Sequence, residues 1–106
     1  MINYEVKIYI PTTNYKALTE VIPTVQHNMA DEFGGWTMQE AHGGYLTDAG
    51  EEEIESVNVI SSLASGWADA MPITTFMKEQ AQYVKDTLGE ETVLVTINPT
   101  GKVLFV

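Results

Sequence analysis

Residues 4–10, Tyr-Glu-Val-Lys-Ile-Tyr-Ile, place an apolar side chain at every second position, and from Tyr15 onward the apolar spacing lengthens to three and four. Side chains alternate across a strand but recur every 3.6 residues around a helix, so this change of period demands a strand followed by a helix. Tyr4, Val6, Ile8 and Ile10 share one face of the strand, and Pro11 closes it. In the helix, predicted over Tyr15 to Phe33, Leu18, Val21, Ile22, Val25, Met29 and Phe33 form the buried stripe. Pro23 interrupts it, because an interior proline removes a hydrogen bond and costs about 3 kcal/mol. The helix is therefore expected to begin near Ile22 or to kink there, and Gly34 is expected to end it in a left-handed conformation.

The same alternation of periods recurs. Residues 36–47 read as a second strand, with a bulge or bend expected at Gly43-Gly44. The segment Thr47-Asp48-Ala49-Gly50-Glu51 reads as a turn. Residues 51–63 read as a third strand whose apolar phase switches between Ile54 and Val57, which predicts an irregularity or a change of partner. Residues 65–72 read as a loop, and Pro72 to Leu88 as a second helix ended by Gly89. Two last strands, Thr92–Ile97 and Lys102–Val106, are expected to be joined by a hairpin at Asn98-Pro99-Thr100-Gly101. The fold class that follows is α+β: a single ferredoxin-like domain over residues 1–106, βαββαβ plus a C-terminal strand, with an antiparallel sheet and two helices on one face. The other sheet face, carrying Glu5, Lys7 and Tyr9 from the first strand, is left uncovered. A homo-oligomer, a dimer or a ring of dimers, is the expected means of covering it.

At 106 residues there is room for one modest core. No apolar run approaches the roughly 20 residues of a membrane span, and no secretory signal precedes the first strand, so a cytoplasmic setting is expected. The chain has no cysteine, which removes thiolate chemistry and disulfides. Fifteen acids against five bases give a formal net charge of −10, and all five bases are lysines. Long-range repulsion and the missing guanidinium argue against nucleic-acid binding.

His42 lies two residues from Glu40, on the same side of a strand, so the carboxylate can orient or charge the imidazole for proton transfer. It is the one candidate catalytic group, although a surface histidine beside a bend is the plainer reading. His27 reads as a partly covered helix residue. Glu51, Glu52, Glu53 and Glu55 lack calcium-loop spacing and read as a solvated strand start. Neither glycine pair fits a nucleotide fingerprint, and no metal or cofactor motif is present. Large aromatics near these residues complete a candidate ligand-binding set of Trp36, Glu40, His42, Tyr45 and Trp67, with Trp67 expected in a loop where it packs on a ligand or partner.

The stretch Asp31-Glu32-Phe33-Gly34-Gly35-Trp36-Thr37, the Gly43-Gly44-Tyr45 step, the turn at 48–55 and the closing Lys102–Val106 resemble a family of small phage and prophage proteins. In its Phe-Gly-Gly-x-Thr step the chain is similar to the Thoeris anti-defence sponge family, matching at Phe33, Gly34, Gly35 and Thr37. That resemblance implies a non-enzymatic protein, acting inside the host cell, that sequesters a cyclic ADP-ribose-type signal without cleaving it. The chain departs from the expected chemistry in having no arginine for phosphate. Non-enzymatic binding of a small molecule or protein partner through an oligomer interface is therefore the leading expectation. The alternatives are a dimeric barrel enzyme of monooxygenase or isomerase type using His42, and a purely structural or regulatory dimer.

Overall fold

A computed structural model describes residues 1–106. The elements run in the order β1 (Ile2–Pro11), a π-helical turn (Ala17–Val21), α1 (Ile22–Phe33), β2 (Thr37–Leu46), β3 (Glu52–Trp67), α2 (Met71–Leu88) and β4 (Val95–Pro99). All neighbouring strands are antiparallel, and their order across the sheet is β2-β3-β1-β4. This is the ferredoxin-like arrangement that the order of periods predicts.

The alternation in β1 does what its sequence requires. Tyr4, Val6, Ile8 and Ile10 are buried, and they join Ile60 and Ala64 of β3, Val25 and Met29 of α1, and Ile73, Met77 and Val84 of α2 in one core. Since β1 contributes only this face to the cluster, both helices lie on the same side of the sheet. The helices meet through the Asn28 amide, which donates to Gln80 Oε1 at 3.0 Å, and through the Phe33 and Phe76 rings, packed edge to face at 5.2 Å. Gly34 ends α1 with φ 95°, its N–H bonded to the Ala30 carbonyl, and Gly89 ends α2 in the same way on Lys85.

As expected, the α-helix begins at Ile22 with Pro23 in its first turn, although the helical path does not stop before it. The turn before it widens instead, and the Ile22 N–H reaches back five residues to the Ala17 carbonyl. Widening accommodates a ring that brings no N–H and would crowd a regular turn. It also sets Leu18 outward on the wide turn, half exposed.

Four expectations are corrected. Residues 101–106 form no strand, and no hairpin joins them to β4: the Thr100 N–H bonds to the Asn3 carbonyl, and Leu104, Phe105 and Val106 are exposed. The apolar run is present there, but β4 is already an edge strand and the last residues add no fifth. Gly43 and Gly44 produce no bulge, since β2 keeps one register with β3 from Thr37↔Ser61 to Leu46↔Glu52. The single irregularity lies at the other end of β3, where the pairing with β1 shifts between Ile2 and Tyr4, and Gly66, at φ 77°, donates to Asn3 Oδ1. Residues 65–67 consequently belong to β3, which is 16 residues long, and the loop before α2 is shorter than expected. The phase switch near Val57 is a change of partner: β1 pairs no further than Val57, while β2 follows β3 on to Glu52.

At Gly34 a Cβ would meet no neighbouring atom, so the backbone angle alone decides the effect of substitution. Gly34→Ala is expected to lower unfolding free energy by about 1–2 kcal/mol, the cost of a left-handed L-residue. Gly43→Ala, in regular strand geometry, is expected to cost nothing comparable, and Met77→Ala about 2–5 kcal/mol. Urea denaturation of the three variants measures all three effects.

Candidate functional site

The length difference between β1 and β3 creates the site. Pro11 is the last residue of β1. The next residue, Thr12, bonds sideways to the Ser56 carbonyl through both its N–H (3.0 Å) and its hydroxyl (3.2 Å). Past that clamp only β2 and β3 continue, as a two-stranded ribbon. Where the sheet narrows, a cleft of about 440 Å³ opens, lined by Thr12, Leu18, Glu40, His42, Ser56 and Asn58, together with the strand at Ala41 and Val57. This volume falls within the roughly 300–1,000 Å³ typical of small-molecule sites.

The register explains the membership. Glu40 lies directly across from Asn58, and His42 across from Ser56. Opposite residues in an antiparallel pair share a face, so four polar side chains form a two-by-two array on the helix side of the sheet. Leu18, held out by the π-helical turn, is the apolar wall. Glu40 and His42 are exposed and make no hydrogen bond or ion pair with each other. Asn58 differs, being buried at 6% exposure. No other group of the protein hydrogen-bonds its side chain, and no atom of it is both fully enclosed and unsatisfied, so its amide opens to the cleft. Glu40 carries the only carboxylate of the lining, and no lysine approaches it.

Of the five candidate residues, the structure gathers Glu40 and His42. Trp36 lies in a separate, smaller cleft of about 210 Å³ with Glu5, Thr37, Ser61, Ser62 and Leu63. Tyr45 occupies the opposite face of the ribbon, beside Tyr9, Glu55 and Leu94. Trp67 ends β3 with its ring edge-to-face on Phe33 at 6.5 Å, at the other end of the molecule from the cleft. Thr12, Leu18, Ser56 and Asn58 had no sequence signal as a site. Asn58 in particular reads as one more polar residue in a strand until the β2 register sets it opposite Glu40. No group of three or more His, Asp or Glu side chains is placed to hold a metal ion, and no helix is long and apolar enough to cross a membrane.

The uncovered sheet face carries Tyr9, Val57, Val59, Leu63 and Leu94 around a Lys7–Glu5 ion pair of 3.4 Å. At its ribbon end the Tyr45 hydroxyl donates to Glu53 Oε2 at 2.7 Å. The Tyr45 phenol is held above its ordinary value of 10.0, first because ionisation would forfeit that hydrogen bond and then because the Glu53 charge opposes a phenolate. Slight burial and the charges of Glu55 and Glu90 act in the same direction.

No family model matches the chain, and no curated protein matches it. Among solved structures, it is similar to a Bacillus cereus protein related to NIF3 (12% identity over 95% of this chain, TM-score 0.61), of whose length it spans 26%. It is similar over 92% of its length, and 81% of the other chain, to a phage SAM lyase in complex with S-methyl-5'-thioadenosine (14% identity, TM-score 0.66). It is also similar to B. subtilis GlnK in complex with ATP, with 16% identity over 93% of this chain and 82% of that one, and TM-score 0.56. At such identities the likeness establishes the fold.

Because the folded value of Tyr45 is raised, the stability that its hydrogen bond contributes is present below pH 10 and is lost as pH rises through the folded value. In an ultraviolet tyrosinate titration, Tyr45→Phe is expected to remove a late-ionising phenol. Glu53→Gln is expected to shift that phenol to lower pH.

Proposed function

We propose that this chain is a non-catalytic binding protein that assembles with copies of itself through its uncovered sheet face and holds a small molecule of nucleoside type in the cleft at Glu40, His42 and Asn58. The observation that carries this reading is the cleft itself. Polar side chains from two strands line a concavity of small-molecule size, and the protein gives the buried one no partner. The Asn58 amide is open only toward the cleft, so a molecule seated there can complete the hydrogen bonds that the protein does not make.

Two solved chains of the same fold hold adenine-containing molecules, S-methyl-5'-thioadenosine in one and ATP in the other, which supports a nucleoside-type ligand here. The Phe-Gly-Gly-x-Thr resemblance supports sequestration as the role. Assembly rests on the open face: Leu94 is 58% exposed beside Tyr9 and the half-buried Val57, and half-buried Leu63 lies farther along the same face. Such a surface is stabilised when a second copy removes it from water, by about 25 cal/mol for each Å² of apolar area.

A second reading treats the bound molecule as a substrate, with His42 as acid or base. It is favoured by the place of His42 beside Glu40 in one cleft. Under that reading incubation yields a product that His42→Asn abolishes, whereas under the proposed function the ligand is recovered unchanged.

Light scattering on the purified chain is expected to give a multiple of the 11.7 kDa subunit mass, and Leu94→Glu is expected to reduce that multiple. Equilibrium dialysis against a cell extract is expected to concentrate a small molecule on the protein. A monomer that concentrates nothing would overturn the proposal.

A further inference from the structure

Resting on the binding reading above, we infer the chemical class of the ligand: a heterocycle carrying an exocyclic amino group beside a ring acceptor, as in adenine or cytosine, on a molecule without phosphate. Two observations carry it. First, the register sets a carboxylate and a carboxamide directly opposite each other, Glu40 across from Asn58, with Asn58 buried and its amide free of protein partners. A carboxylate only accepts hydrogen bonds, and a carboxamide both donates and accepts. The pair therefore offers two acceptors to an amino group and one donor to a neighbouring ring nitrogen. A carboxamide makes the same two-bond match to adenine in nucleic-acid recognition.

Second, the electrostatics exclude phosphate. The lining holds Glu40 and no lysine, and the chain has no arginine and a net charge of −10. No glycine-rich loop lines the cleft, and where the helical stretch begins beside it, the Lys16 and Ala17 N–H groups are already taken by the Asn14 side chain and carbonyl. An anionic ligand would meet an unpaired carboxylate at close range, whereas a neutral one would not. Leu18 supplies the apolar surface for a ring face, Ser56 a hydroxyl for ribose-like oxygens, and Thr12, whose hydroxyl donates to the Ser56 carbonyl, an acceptor oxygen.

Asn58 also separates binding from structure. Its side chain bonds to nothing in the protein, so an apolar residue of similar volume replaces it without leaving another group unpaired. Asn58→Leu should therefore keep or raise the melting temperature while removing the amide that reads the ligand, and a structural asparagine would behave in the opposite way.

The test is isothermal titration of the intact protein with adenosine, inosine and AMP, alongside thermal melts of the wild type, Asn58→Leu and Glu40→Gln. Adenosine is expected to bind, and AMP and inosine to bind at least about tenfold more weakly. Asn58→Leu is expected to lose about tenfold or more in adenosine affinity with no fall in melting temperature, and Glu40→Gln, at an exposed position, several-fold. If AMP binds as tightly as adenosine, or either variant binds undiminished, the inferred class is wrong while the binding reading stands. A fall in the melting temperature of Asn58→Leu, with Glu40→Gln unchanged in affinity, makes the pair structural and overturns the inference. If adenosine does not bind although dialysis against extract still concentrates another molecule, the inference fails alone; failure of both removes the binding reading as well.

Discussion

The structure depends on a mismatch of strand lengths. β1 is ten residues and stops at a proline, while β3 is 16 residues and keeps its register with β2 to the end. Over the shared length, every second residue of β1 is buried under two helices, with β4 flanking β1 along Tyr4–Ile8 and β2 joining β3 from Ser61 onward. Beyond Pro11 the sheet has two strands, bordered on the helix side only by the π-helical turn at Leu18. The cleft lies at that step, so the core and the site are separated along one strand pair. The core half is closed by Ile8, packed opposite Ile60, and the site half stays open, with Leu18 as its one apolar side-chain wall. Thr12, bonded twice to Ser56, marks the boundary.

The open ribbon would be a hazard without its charges. The β1-facing edge of β3 is unpaired from Glu52 to Ile54, and Leu46 and Ile54 are both more than 70% exposed. Glu51, Glu52, Glu53 and Glu55 surround them. Carboxylates on an exposed edge discourage pairing with a second edge, which accounts for the densest acid run without invoking a metal. Part of the −10 net charge thus serves solubility, and the cleft inherits its negative field from the same ribbon. A ligand that enters must tolerate that field.

How far the sequence could be read depended on whether the deciding interaction was local. Periodicity gave β1, both helices and their glycine ends, because each is set by side-chain spacing or by one φ angle. Lys102–Val106 has a strand-like apolar composition, yet residues 101–106 do not pair, because pairing is a tertiary interaction that composition alone does not set. Gly43-Gly44 permits a bulge without requiring one, and the register around it is held by the pairs on either side. Trp67 looked like a loop aromatic because the shift at Gly66 that keeps it in β3 depends on Asn3, 63 residues away. Glu40 and His42 could be paired by their spacing of two along one strand. Asn58 could not, because both its burial and its position opposite Glu40 come from the β2–β3 register. Trp36, Tyr45 and Trp67 share only sequence proximity or aromatic character with the cleft, and the fold distributes them elsewhere.

Native mass spectrometry of the protein, purified gently from a cell extract, tests most directly whether the open face and the open cleft are both occupied, because one spectrum reports subunit count and retained mass together. The expected result is an oligomer that carries one small molecule per subunit, of a mass that fits a nucleoside and leaves no room for a phosphate. A monomer without added mass would contradict both the assembly through the sheet face and the binding role of the cleft.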